Sequence, residues 1–224
     1  MNECVRRPMD PTFFAVITHL LLWTLFGVVH STMASHWFKL RWCRLLGPLA
    51  SGERLFYNLF AALTALAILL HGRAYLPQEL LWPYAPWVEQ LLLAGRLLGV
   101  VLLLIALSSY DLSRFAGFKQ IRYALRGEAL PDEPLRIGLL HRWVRHPIYT
   151  AALLYLWSQP LSLGELVTHL SLTLYLLIGM GLEERRLQAL YGERYGVFCR
   201  AIPALIPKRL KPLPHGEVEA LLGR

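Results

Sequence analysis

Long apolar segments recur along the chain and constrain its fold more than any other feature. They cover residues 13–29, 55–70, 91–107, 148–161 and 166–182, and each is about 14–18 residues long. As helices the longer segments reach about 25–27 Å, close to the bilayer core of about 30 Å. A soluble fold buries one such helix in its core, but five in 224 residues are hard to cover. The pattern therefore predicts an all-α integral membrane protein with about five transmembrane helices.

Composition agrees with this class. Hydrophobic residues make up 55% of the chain and the mean hydropathy is +0.41, whereas charged residues make up only 17%, against about 25% in ordinary soluble domains. The net charge of +8 is divided among the connections between apolar segments, which indicates membrane surfaces as the partner and not nucleic acid. The three cysteines have no Cys-x-x-Cys spacing, so neither a disulfide framework nor a zinc site is predicted.

The distribution of basic residues predicts an orientation. Residues 31–54 hold four of them, 109–147 hold seven and 183–224 hold eight, whereas 72–90 hold one and 159–165 none. Since cytoplasmic loops carry the excess of lysine and arginine, the first three ranges are predicted to be cytoplasmic. With five spans the N-terminus then lies outside and the C-terminus inside. The predicted organisation is an N-terminal segment 1–12, a membrane domain 13–207 and a tail 208–224.

A short link, residues 159–164, joins the last two apolar segments and predicts a tight antiparallel hairpin. Its two cytoplasmic ends must then lie close together. One end carries the run Arg142-Trp143-Val144-Arg145-His146-Pro147-Ile148-Tyr149, and the other carries Glu183-Glu184-Arg185-Arg186. We expect a cytoplasmic pocket at this place.

The hairpin ends combine groups of opposite charge. Pro147 suits the first turn of a helix, where free N–H groups and nearby cations favour an anion. Glu183 and Glu184 supply negative charge at the membrane edge, where acids are costly without a partner. Together the two ends match a zwitterionic amino-acid group. Each end also has a plainer interpretation, as a basic loop facing lipid headgroups and as a solvated acidic and basic patch.

Several of these motifs resemble a known superfamily. The run 145–149, the Glu183-Glu184 pair, Tyr191-Gly192-Glu193-Arg194-Tyr195 and residues 201–207 resemble the isoprenylcysteine carboxyl methyltransferase and phospholipid methyltransferase superfamily, membrane enzymes that use S-adenosylmethionine. Residues 30–34, 53–57, 110–112, 117–120 and 157–161 narrow the resemblance to the branch of NnrU and methanethiol S-methyltransferase.

The resemblance implies roles for particular residues. The cofactor-binding set it implies is Gln120, His141, Arg145, His146, Pro147, Tyr149, Glu183 and Glu184. Arg145 either orients the loop or meets the carboxylate of the cofactor, and Asp111 lies near the cofactor or the acceptor, so both are candidate catalytic residues. Two departures concern the acceptor pocket: His141 stands where an aromatic residue is expected, and Ser113 and Arg114 lengthen the segment after Asp111-Leu112.

A thiol acceptor must lose its proton before it attacks a methyl group. His30 ends the first apolar segment on the predicted cytoplasmic side, which makes it a candidate base, although it is equally a candidate helix cap. His19, His71 and His169 lie in or beside apolar segments, where ionisable groups are functional candidates. A haem pair and helix packing are both open interpretations for them, and no His or Cys spacing predicts a metal site.

The leading prediction is an S-adenosylmethionine-dependent membrane methyltransferase that acts on a small thiol, as in methanethiol to dimethyl sulfide, in a bacterial inner membrane. Methylation of a lipid headgroup or an isoprenylcysteine carboxylate is the alternative within the class. A non-catalytic NnrU-like membrane factor in nitrogen-oxide metabolism is the alternative outside it. The sequence makes no prediction of the oligomeric state.

Overall fold

The computed structural model describes residues 10–131, 137–209, 211–214 and 216–217. Most of the predicted N-terminal segment and much of the predicted tail lie outside the described residues. The α helices are α1 (Pro11–Ala34), α2 (His36–Leu46), α3 (Glu53–Tyr75), α4 (Pro86–Leu107), α5 (Leu112–Ala116), α6 (Phe118–Leu125), α7 (Pro147–Trp157), α8 (Leu163–Tyr191) and α9 (Glu193–Ala201). Two 3₁₀ helices, Gly47–Gly52 and Leu139–Arg142, precede α3 and α7.

Within the described residues, four helical segments are long and apolar enough to cross a membrane: Pro11–Ala34, Leu49–Tyr75, Pro86–Leu107 and Leu163–Tyr191. Their outward side chains are large and apolar, and Leu21, Leu63 and Leu104 are each more than 60% exposed. Such surfaces are stable only against lipid. The fold is therefore that of an all-α, multi-pass membrane protein.

The fourth predicted span has an unexpected form. Helix α7 has 11 residues, or about 17 Å of helix, and is too short to cross a bilayer alone. After a turn at Ser158 and a bend at Gln159, residues 160–162 lead into α8 as a short strap, in which Leu161 O accepts from Leu81 N at 2.9 Å. The link between α7 and α8 is short, as the sequence predicts, and part of it pairs with the loop before α4.

The short link makes α7 and α8 antiparallel. Trp157 Nε1 donates to Thr173 Oγ1 at 3.0 Å, so the C-terminal end of α7 lies beside the first half of α8. Residues 147–162 begin beside Glu184 and end at the start of α8. These two points are about 32 Å apart along α8. The two ends that the sequence expects to meet, His146 and Glu184, are indeed in contact. The number of spans stays a prediction, because the helical part of this crossing is short.

Helix α4 supports α7 through two glycines one turn apart. A Cβ atom on Gly99 would lie 2.9 Å from the backbone nitrogen of Tyr155, and one on Gly95 would lie 2.3 Å from Ser158 Oγ. Small residues at four-residue spacing let membrane helices approach closely. The Gly95–Gly99 pair therefore fixes α7, and with it the His146 end of the helix, against the rest of the bundle.

Two clusters of buried apolar side chains lie among the described residues. Trp23, Phe26 and Ile68 form the first, where α1, α3 and α8 pack together. Tyr195, Phe198, Ile202 and Leu213 form the second, which attaches Ile202 and Leu213 to α9; the backbone of Pro203 and Ala204 then bonds to the residues at the start of α7. The second cluster places the chain after α9 next to the residues of the candidate site.

Candidate active site at the α7 and α8 ends

The start of α7 is held from two directions. Pro147 occupies the first turn and His146 is the N-cap residue. The backbone N–H groups of Arg145 and His146 donate to Pro203 O at 2.9 Å and Ala204 O at 3.0 Å. The chain that follows α9 is therefore bonded to the two residues whose side chains face α8.

Glu184 is the centre of the contacts between the two ends. Its Oε1 accepts from Arg145 Nε at 2.9 Å and from Arg145 Nη2 at 2.5 Å, and it lies 3.0 Å from His146 Nε2. Arg145 and His146 are nearly buried, with side chains 11% and 5% exposed. Glu184 therefore neutralises two cationic or protonatable groups in a poorly solvated place, which leaves it little negative charge for a ligand.

The hydrogen bonds of the Arg145 side chain go to other groups of the protein. Besides Glu184, its guanidinium donates through Nη1 to Cys199 O at 3.1 Å and to Ile202 O at 2.5 Å. These carbonyl groups lie at the end of α9, where a helix leaves its acceptors unpaired. The sequence allows two roles for Arg145, orientation of the loop or contact with the carboxylate of the cofactor. Because its guanidinium is already bonded to Glu184 and to these carbonyl groups, the geometry supports orientation of the loop.

Glu183 has a different environment. Its side chain is 46% exposed and its Oε2 lies 3.6 Å from His146 Nδ1. It is also within hydrogen-bonding reach of the Tyr149 hydroxyl, and the Tyr149 ring stacks on His146 with centroids 5.4 Å apart. An accessible carboxylate beside two aromatic rings is suited to a cationic ligand.

One face of α8 connects this place to His30. Tyr175, Gly179 and Glu183 follow one another at four-residue spacing, which puts them on the same side of the helix. The Tyr175 ring lies 5.6 Å from the His30 ring, and a Cβ atom on Gly179 would lie 3.9 Å from the Tyr149 hydroxyl. The stripe from Tyr175 to Glu183 is about 12 Å long, with the glycine at its middle.

His30 is paired in a way that the sequence does not predict. The Tyr57 hydroxyl hydrogen-bonds to His30 Nε2, and their rings are 4.5 Å apart. His30 Nδ1 is buried and lacks a hydrogen-bond partner among the described residues. Helix α1 continues past His30 to Ala34, and its C-cap residue is Ser35, so His30 is not a helix cap and its contacts are those of a ring inside the bundle.

The remaining predicted residues lie in neighbouring loops. Asp111 Oδ1 accepts from Arg114 N at 3.1 Å and its Oδ2 pairs with Lys119, so it caps α5 and anchors α6. Gln120 Nε2 donates to Arg114 O at 3.0 Å, and its Oε1 is buried without a partner in the described part of the chain. Asp111 and Gln120 thus adjoin each other, and no contact between either residue and Glu183 is seen.

His141 faces the same region from the 3₁₀ helix before α7. Its Nδ1 accepts from Gly138 N at 3.1 Å and its Nε2 is 3.5 Å from the Tyr110 hydroxyl. Burial, and then the nearby His146, lower the pKa of His141 to about 4. The ring is therefore neutral at physiological pH and carries its proton on Nε2, since Nδ1 is an acceptor.

The other histidines have partners on adjacent helices. His19 is fully buried, receives a hydrogen bond from Trp23 Nε1 at 3.0 Å and lies 3.4 Å from His71 between their Nδ1 atoms. His169 Nε2 lies 3.1 Å from Glu165 Oε2. These contacts favour helix packing over a cofactor role. Within the described ranges, no group of three or more His, Cys, Asp or Glu side chains is placed to hold a metal ion.

Comparison with known proteins assigns the chain to a family. A methanethiol S-methyltransferase of Bradyrhizobium diazoefficiens is 32% identical over 195 residues, which cover 87% of this chain and 74% of that protein. A methanethiol S-methyltransferase of Mycobacterium tuberculosis is 31% identical over 194 residues, or 86% of this chain and 78% of that protein.

The chain belongs to the methanethiol S-methyltransferase family. The protein is thus a methyltransferase, as the sequence predicts, and the non-catalytic alternative is not favoured. Nurim of Sus scrofa is also similar, with 32% identity over 180 residues that cover 75% of this chain and 70% of that protein. No family model matches the chain, and no solved structure matches it significantly.

Several residues that surround the candidate site of this methanethiol S-methyltransferase family member are not predicted from the sequence. Tyr57 and Tyr175 flank His30, and the carbonyl groups of Cys199 and Ile202 hold Arg145. The four-residue spacing of Tyr175, Gly179 and Glu183 is a signal that the sequence does contain. The carbonyl acceptors carry no such signal, because every residue has one.

Proposed function

We propose that this protein transfers the methyl group of S-adenosylmethionine to methanethiol, with dimethyl sulfide as the product. The observation that carries the proposal is the α8 stripe, which has the accessible carboxylate of Glu183 at one end, Gly179 in the middle and, at the other end, Tyr175 against the half-buried His30 of α1. The family supports a small thiol as the acceptor. We place the protein in a bacterial inner membrane, with the N-terminus outside and the C-terminus in the cytoplasm.

The donor set fits S-adenosylmethionine at the Glu183 end. The Glu183 carboxylate would take the ammonium group, because Glu184 is already committed to Arg145 and His146. The ring faces of Tyr149 and His146 would lie beside the cationic part of the cofactor, where aromatic rings attract cations. On the loop side, Gln120 Oε1 has no partner among the described residues, and the His141 Nε2–H makes a long contact, 3.5 Å, with the Tyr110 hydroxyl, so both groups could turn to the cofactor. S-adenosylmethionine supplies an electrophilic methyl group on a sulfonium.

His30 and Tyr57 would serve the acceptor. An ordinary thiol has a pKa of about 8.5, so most of it is protonated at neutral pH. A neutral imidazole that accepts its proton raises the fraction of thiolate. In the tautomer that this role requires, His30 Nε2–H donates to the Tyr57 oxygen, which fixes the ring, and the buried Nδ1 has the lone pair that accepts the thiol proton. The aromatic surroundings, Phe26 and Tyr175, exclude water from the thiolate.

The roles of the residues then divide along the stripe. Glu183, Tyr149 and His146 bind the donor, and His30 accepts the proton. Arg145 is a positioning residue, since its hydrogen bonds end on Glu184 and on two carbonyl groups. Gly179 leaves space for the methyl group and the attacking sulfur. Alignment of donor and acceptor is the largest expected contribution, worth about 7–11 kcal/mol at best.

The test is a headspace assay of the purified protein in lipid nanodiscs with S-adenosylmethionine and methanethiol. We expect dimethyl sulfide from the wild type and about 100-fold less from His30→Gln, with unchanged binding of S-adenosylhomocysteine. Isoprenylcysteine and phosphatidylethanolamine are offered as rival acceptors in parallel. Methylation of either one, together with no dimethyl sulfide, would show that the acceptor is wrong.

A further inference from the structure

A cleft rich in cationic side chains lies beside the segment that carries Arg145, lined in part by Arg142 and Trp143 of that segment. Its volume is about 140 Å³, and four of its lining side chains are cationic: Arg142, Arg200, Lys208 and Arg209. These residues come from the segment before α7, from α9 and from the chain after α9. The fold therefore gathers the positive charge from separate parts of the sequence.

The cleft is held together by specific contacts. Arg142 Nε donates to Leu213 O at 2.6 Å, and Leu213 N donates to Arg142 O at 3.2 Å. Leu213 is 7% exposed and packs with Tyr195, Phe198 and Ile202. Leu213 is thus fastened to Arg142, and Lys208 and Arg209 lie beside the other two cations in the cleft.

Little negative charge balances these groups. Arg200 Nη2 pairs with Glu193 Oε1 at 2.5 Å, and both side chains are more than 60% exposed. Arg142, Lys208 and Arg209 form no ion pair with any carboxylate in the described part of the chain. Like charges in one small cleft repel each other, and a bound anion with two or more acceptor oxygens removes that cost.

The position of the cleft identifies the anion. Trp143 lies four residues before the apolar helix α7, and α9 follows directly on the end of α8. This is the depth of the lipid headgroups, where tryptophan side chains concentrate and anionic lipids attract clusters of lysine and arginine. A phosphate group at this depth belongs to a phospholipid.

We propose that the cleft formed by Arg142, Arg200, Lys208 and Arg209 binds the phosphate of an anionic phospholipid headgroup. The headgroup bridges residues 208–209 and 142. It thereby holds the chain after α9 against the segment that ends in Arg145 and His146. Anionic lipid then stabilises the methyltransferase site without touching donor or acceptor.

The test compares nanodiscs of phosphatidylcholine alone with nanodiscs that also contain phosphatidylglycerol. We expect phosphatidylglycerol to raise the melting temperature of the wild type and to remain bound in native mass spectrometry. The double variant Lys208→Gln/Arg209→Gln is expected to lose both effects, with about 30-fold weaker binding of phosphatidylglycerol. The matched control is Arg185→Gln/Arg186→Gln, an exposed arginine pair outside the cleft, which should respond like the wild type.

Further arms separate the other sources of the effect. Inorganic phosphate or glycerol 1-phosphate added to phosphatidylcholine nanodiscs should leave the melting temperature unchanged, and an increase equal to that with phosphatidylglycerol would overturn the lipid assignment. The double variant should bind S-adenosylhomocysteine normally in phosphatidylcholine, and a loss would assign the cleft to the cofactor. An equal lipid effect in variant and wild type would also overturn the proposal. The single variants Lys208→Gln and Arg209→Gln, each expected to lose part of the effect, apply if the double variant does not fold.

Discussion

Glu183 and Glu184 are neighbours on α8 but have different environments. Glu184 Oε1 accepts from Arg145 and lies against His146, whereas Glu183 is 46% exposed and, among the described residues, contacts His146 Nδ1, at 3.6 Å, and the Tyr149 hydroxyl. The sequence gives both residues the same role. The structure separates them into a positioning carboxylate and one that remains accessible to a ligand.

This difference predicts different effects of two matched substitutions. Glu183→Gln should weaken S-adenosylhomocysteine binding about 10- to 100-fold, because a charge-assisted hydrogen bond to the ammonium is lost, with little change in melting temperature. Glu184→Gln should weaken binding and also destabilise the protein by about 3 kcal/mol, because Arg145 is left without its counter-charge. Calorimetric titration and thermal unfolding in nanodiscs measure the two effects. Equal melting temperatures for the two variants would contradict the division of roles.

Gly179, in the middle of the stripe, and Gly181 offer a second pair of matched substitutions. Gly179 faces the Tyr149 hydroxyl, whereas a Cβ atom on Gly181 would meet nothing within 4 Å. Gly179→Leu should fill the space between donor and acceptor and lower kcat/KM about 100-fold or more. Gly181→Leu, on another face of the same helix, should keep wild-type activity. The headspace assay decides, and equal activity of the two variants would remove Gly179 from the reaction space.

His141 predicts a pH dependence of stability. A histidine in the unfolded chain binds a proton near pH 6.5, whereas burial and His146 lower the pKa of folded His141 to about 4. Between these values the unfolded state holds more protons, so the free energy of unfolding falls as the pH falls from 6.5 towards 4 and is unaffected above 6.5. The loss is on the order of 3 kcal/mol.

The variant His141→Gln isolates this contribution. Its side-chain oxygen replaces Nδ1 as acceptor for Gly138 N–H and does not titrate. We expect a smaller loss of thermal stability between pH 6.5 and pH 4 than in the wild type, with similar stability at pH 7.5. Parallel stability curves for the two proteins would show that another group is responsible.

The meeting of the two ends could be predicted because it depends on patterns that a sequence displays. Pro147 marks the start of a helix, residues 159–164 are too few for a long connection, and Glu183 ends an apolar segment. The early end of α7 and the non-helical residues 160–162 could not be predicted, because a short apolar run does not distinguish helix from extended chain. Pro160 does carry a signal, since the residue before a proline is disfavoured in a helix. Its consequence, pairing of Leu161 with Leu81, depends on a distant loop.

The partners of the site residues are harder to predict than the residues. His30 and Arg145 stand out as ionisable groups beside apolar segments. Tyr57 reaches His30 only because α1 and α3 pack side by side, and Arg145 is fixed by the carbonyl groups of Cys199 and Ile202. Backbone acceptors have no sequence signature, so the interpretation of Arg145 as a positioning residue needed the structure.

The packing of α4 against α7 gives the last prediction. A Cβ atom on Gly99 would lie 2.9–3.0 Å from backbone and Cβ atoms of Tyr155, which cannot move aside as a flexible side chain can. Gly99→Ala should therefore separate the two helices and destabilise the protein by about 1–3 kcal/mol, although alanine is the better helix former. Gly181→Ala is the control, where the added methyl group is free and stability should be unchanged or slightly higher. Because α7 carries His146 and Tyr149, Gly99→Ala should also weaken S-adenosylhomocysteine binding. Thermal unfolding together with calorimetric titration tests both effects, and a Gly99→Ala protein as stable as the control would show that α4 does not hold α7 in place.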